Sequence, residues 1–125
     1  MALVYSTGPL ENAAAPATQS TSVITKVLNN HEHTTITAKI EIFGLDGTKT
    51  LLDTGTLTIP PLSSRFFTST RIANKFEFEV QIQISPSNDR DDVLIGVFGK
   101  TATGDLNASH RLVHKELTRI DELTF

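Results

Sequence analysis

The chain has no cysteine and no tryptophan, and one tyrosine and one methionine in 125 residues. Without thiols, disulfide stapling and thiolate metal sites are excluded. Basic charge is neither abundant nor clustered. Eleven Lys and Arg stand against 14 Asp and Glu, for a net charge of -3. No three basic residues adjoin, so no nucleic-acid partner is expected. Long apolar runs are missing too, and nothing approaches the roughly 18 residues that a membrane span needs. The opening M-A-L-V-Y-S-T-G-P has no basic region, and its apolar run stops at Tyr5. It does not read as a signal peptide. The expectation is a chain made in the cytoplasm that reaches a spore or particle surface, if at all, without a signal. Phosphate-loop and dinucleotide motifs are absent. Ser63-Ser64 follows Pro60-Pro61 with no G-x-S-x-G context, so no nucleophile is indicated.

What the chain does contain is alternation. In Lys75–Ile84 the residues Phe76, Phe78, Val80, Ile82 and Ile84 occupy every second position, with Glu77, Glu79, Gln81 and Gln83 between them. A period of two predicts a strand with an apolar face and a wet face. Thr34–Phe43 repeats the pattern through Ile36, Ala38, Ile40 and Ile42. Asp46-Gly47 after it marks a hairpin turn. Further strands are expected at 22–28, 48–53, 56–59, 65–71, 93–98 and 106–113, with a break at Gly55. Pro60-Pro61 marks a sheet end or a crossover between sheets. In 114–120 helical and strand spacings overlap, and strand continuation is preferred. About eight short strands with turn punctuation predict an all-β, antiparallel, jelly-roll-like sandwich, with an immunoglobulin-like sandwich as the alternative.

Residues 1–19 differ in composition. Ala13-Ala14-Ala15-Pro16-Ala17 is small and uncharged, and Gly8-Pro9 is a breaker. The segment reads as an extended N-terminal arm, with Leu3, Val4 and Tyr5 as a sticky tip for a neighbouring chain and 20–125 as the sandwich domain.

Three constellations invite chemistry. His31 and His33 are spaced to share a side of an extended chain, but no third ligand is identifiable. His110 and His114 lie four apart, with Arg111 where the zincin motif has glutamate. Asp89, Asp91 and Asp92 form a carboxylate-rich loop that offers oxygen ligands to calcium, without the glycine and distant glutamate of an EF-hand. Solvated turns and surface contacts are the plainer readings of all three, so no catalytic group and no cofactor are expected.

The arm and the strand series, with Leu62-Ser63-Ser64-Arg65-Phe66-Phe67-Thr68 as a serine-then-phenylalanine opening to a strand, resemble the small jelly-roll subunits of bacterial endospore appendages and similar surface fibres. Those subunits carry N-terminal cysteines, and this chain has none. Any joint between its copies is therefore non-covalent. The resemblance implies subunits whose arms reach into adjacent sandwiches. The expected function is a non-enzymatic structural subunit that assembles with itself through sheet edges and arm exchange. The alternatives are a carbohydrate- or calcium-binding sandwich, or a virion or phage decoration protein. Deleting the arm is expected to leave a folded, unassembled domain.

Overall fold

A computed structural model describes residues 3–12, 15, 18–86 and 92–124. Among these the chain forms an all-β sandwich of two packed antiparallel sheets. Its strands are β1 (Leu3–Ser6), β2 (Leu10–Glu11), β3 (Ser20–Asn29), β4 (Ile36–Gly44), β5 (Thr50–Ile59), β6 (Ser63–Ser69), β7 (Glu77–Ser85), β8 (Val93–Thr101), β9 (Leu106–Leu112) and β10 (Thr118–Ile120). One sheet runs β10-β1-β7-β4-β5, with β2 also paired to β7, and the other runs β6-β3-β8-β9.

Alternation sets which side chains meet between the sheets. Ile36, Ala38, Ile40 and Ile42 of β4 and Phe78, Val80, Ile82 and Ile84 of β7 face Val23, Val27, Ile95 and Val97 of the second sheet. The double proline follows the end of β5, and the chain crosses there to β6 in the other sheet; prolines cannot donate to a ladder and fall naturally at such a break.

The structure corrects several expectations. Residues 3–12 are not an arm standing off the domain. β1 lies between β7 and β10, pairing Leu3 with Ile84 and Val4 with Ile120. Leu3, Val4 and Tyr5 are buried in their own sandwich, because without β1 the apolar margin of β7 would face water. Phe76 is not a core residue. It precedes β7 and is 57% exposed, since the inward alternation begins at Phe78. Nor is the opposite face of β7 wet, for Glu79 and Gln81 are both buried.

Gly55 does not divide two strands but sits inside a continuous β5. A Cβ there would come within 2.5 Å of the Phe67 ring on β6, so the glycine is the space that ring occupies. Residues 114–120 do not prolong β9. His114–Glu116 forms a single 3-10 turn, and β10 then joins the other sheet.

Candidate functional site

Three places concentrate polar or uncovered chemistry. The first lies on the outer side of the larger sheet. β7 presents Glu79 and Gln81, β1 brings Ser6, the β4–β5 connection brings Lys49, and the C-terminal segment brings Thr124. Lys49 Nζ is 2.7 Å from Glu79 Oε1 and donates to Thr124 Oγ1 at 2.9 Å. Ser6 Oγ and Gln81 Nε2 both donate to Glu79 Oε2. Gln81 closes the circuit, donating to Thr124 Oγ1 and accepting from the Thr124 backbone N–H. Lys49 also lies 4.4 Å from the centre of the Phe43 ring. Burial works against the Glu79 charge, but hydrogen bonds from Lys49, Ser6 and Gln81 and the Lys49 charge together hold its carboxyl below the ordinary value. With its oxygens filled from three sides, Glu79 is a clasp and not a ligand site.

The second is a buried pair that carries no sequence signature. His110 Nε2 lies 2.7 Å from the Glu11 carbonyl oxygen. A carbonyl can only accept, so Nε2 carries the proton. In the neutral ring Nδ1, 2.6 Å from Ser20 Oγ, then accepts from the hydroxyl. Asn107 Nδ2 donates to the same oxygen. This is the hydrogen-bond order of an activated serine, but Ser20 is fully buried and among the described residues no carboxylate orients the imidazole. A Cβ at Gly99 would meet both Ser20 and His110 closer than 3 Å, so the site is filled. It pins β2, β3 and β9 together. A cleft of about 530 Å³ opens beside it, between Asn12, Thr18, Asn107 and Ser109. Among the described residues no phenylalanine or tyrosine lines that cleft, which leaves it without the flat apolar platform on which sugars stack.

The third is the outer face of the four-stranded sheet. Register fixes its rows. Thr68, Ile24, Phe98 and Arg111 follow one another across the four strands, and the next row is Phe66, Lys26 and Gly96. Beyond these come Ser64, Leu28 and Leu94 on one side and Lys100 beside Leu106 on the other. At Gly96 a Cβ would clash with the Phe98 ring, so the glycine lets that ring lie against the sheet. Phe66 is 61% exposed and Leu106 67%, with Leu28 and Leu94 also uncovered. Lys26, Arg65, Lys100 and Arg111 are the cations of these four strands, which contain no aspartate or glutamate. Hollows of about 350 Å³ and 280 Å³ adjoin Ile24 and the two lysines, on the Leu106 and Phe66 sides respectively.

The candidates named from sequence do not converge. His31 is buried, with Nδ1 3.4 Å from Asp92 Oδ2, while His33 points into solvent beside Glu32. His110 packs edge-on against Phe78, and His114 lies against the Tyr5 ring; the turn after β9 separates them. Asp89 and Asp91 lie outside the described residues. Among the described residues no three His, Asp or Glu are grouped to hold a metal ion, and no helix is long and apolar enough to cross a membrane. The sequence reading missed both the Ser20–His110 pair and the apolar outer face. The only available signal for the face was the outward set Ile24, Leu28, Leu94 and Phe98 in strands that also alternate inward.

No protein-family model matches the chain, and no curated protein matches it. Among solved structures it is similar to Thermotoga maritima 1070, at 11% identity and a TM-score of 0.47 over 95% of this chain and 89% of that one. It is also similar to the Anabaena sensory rhodopsin transducer, at 12% identity and a TM-score of 0.46 over 74% of this chain and 90% of that one. At this distance the likeness carries no argument about function.

Proposed function

We propose that the protein is a non-enzymatic structural subunit that assembles with itself into a filament or surface layer, and that the outer face of the four-stranded sheet is its assembly surface. The observation that carries this reading is the set of uncovered side chains Leu28, Phe66, Leu94 and Leu106 on this face, around a floor of buried Ile24 and half-buried Phe98. Single exposed apolar side chains are ordinary, whereas a contiguous patch marks a surface that another molecule covers. A stable contact buries about 800 Å² per partner, an area that a four-stranded sheet face supplies. Arm exchange is not part of the proposal, because β1 is already spent inside its own sheet. Edge pairing remains open to β5, a ten-residue margin whose one charged residue is Asp53.

Sedimentation velocity over a wide concentration series, with negative-stain imaging at the upper end, tests the reading. Concentration-dependent association is expected, and Phe66→Ser with Leu94→Ser should abolish it without lowering the melting temperature, since both side chains face water in the monomer. A monodisperse monomer at every concentration would overturn the proposal.

A further inference from the structure

The geometry points to the surface of a second copy that seats on this face: an acidic, aromatic knob formed by Phe76 with Glu11, Asp46 and Glu77. This inference rests on the self-assembly reading above and names its contact.

The knob is built and held. Phe76 is 57% exposed immediately before β7. The Asp46 carboxylate, from the β4–β5 connection, accepts from the backbone N–H groups of Phe76 and Glu77, at 3.1 and 2.9 Å from Oδ1. The Phe76 carbonyl accepts from the Asn12 N–H at 2.7 Å. Glu11 on β2 is the register partner of Glu77, which sets two carboxylates side by side. With Asp46 that makes three acids beside the Phe76 backbone, with half-buried Lys75 as the cation next in sequence. Like charges placed together cost energy in the isolated chain. No ion pair among the described residues engages any of the three acids.

The sheet face is its complement. Lys26 and Lys100 flank an apolar hollow of about 350 Å³ whose walls include Ile24, Phe98 and Leu106, room for a phenyl ring. No ion pair among the described residues engages Lys26, Lys100 or Arg111. Seating Phe76 in the hollow covers its ring and brings Glu11 and Glu77 to the two ammonium groups as the contact loses water. A face-to-face pairing of two identical sheets would set one cationic face against another, and mismatched like charges are what suppress wrong contacts. The knob borders β7 of one sheet while the face belongs to the other, so the joint is between unlike surfaces. Repeated without closure it gives a filament, and with closure a ring or a reciprocal dimer.

A charge exchange tests the contact. Glu11→Lys with Glu77→Lys reverses the knob, and Lys26→Glu with Lys100→Glu reverses the face. Each double variant alone should need about tenfold or more protein to associate, measured by sedimentation velocity. A mixture of the two should associate again, because reversed knob meets reversed face. Phe76→Ser should weaken association to a similar degree with an unchanged melting temperature. If both charge-reversed variants associate like the parent, or if their mixture stays apart, the knob contact is overturned while self-assembly stands. A parent chain that never associates, or that instead binds phosphatidylserine vesicles through Lys26 and Lys100 as a monomer, overturns both.

Discussion

Gly55 holds a position where one methyl group decides how the sheets meet. Its backbone lies under the Phe67 ring, and a Cβ would stand 2.5 Å from Cε1. Gly55→Ala is expected to destabilise the fold by about 1–3 kcal/mol, the usual cost of overpacking. Phe67→Leu in the same chain should return much of that loss in a thermal melt. A neutral Gly55→Ala would mean that the ring has somewhere else to go. Glu79 carries a pH dependence. Its folded carboxyl titrates below its ordinary value, so its charge stabilises the fold at pH above that value, and the contribution disappears as pH falls through the folded pKa. The stability difference between the parent and Glu79→Gln should therefore be widest near neutrality and narrow below about pH 4.5. Denaturant titrations along a pH series read this directly, and a difference that widens on acidification would refute the clasp. Neither residue declared its role in sequence. A glycine reads as a break and an alternating glutamate as a wet side chain, because period-two patterning says which face a residue takes and not what lies upon that face.

Among the elements, β1 departs most from the sequence reading. Its four residues fill the position between β7 and β10, and Leu3, Val4 and Tyr5 are all buried. Burying three such side chains is worth on the order of 5 kcal/mol, comparable to the whole stability of a small domain. Deleting residues 2–9 is therefore expected to abolish cooperative unfolding, in place of the folded, unassembled domain that the arm reading implied. Circular dichroism during heating checks this, and a cooperative melt within a few degrees of the parent would return β1 to the status of an appendage. The longer strands were legible: β3, β4, β7, β8 and β9 lie close to their expected places, and Pro60-Pro61 marks the real crossover. β1, β2 and β10, of four, two and three residues, were not. Strands so short hold too few side chains to display a period, and they exist because a longer neighbour offers them a margin.

At the scale of the whole molecule, the two sheets divide the charge. The strands of the larger sheet carry Glu11, Glu41, Asp53, Glu77 and Glu79 against Lys39 and Arg119. Those of the smaller sheet carry cations only. A net charge of -3 conceals this division, since summing over the chain discards position. The sequence by itself determined the all-β class, the main strands and the inward face of each, because alternation between core and water is a local property that neighbouring residues display. Only the tertiary structure decided that the first strand completes its own sheet, that Phe76 projects while Phe78 is buried, and that cations and apolar side chains from four separated strands share one uncovered face. Those outcomes depend on pairing between residues as far apart as Val4 and Ile120, and the free energy of such pairing belongs to the assembled sheets and to no single stretch of chain.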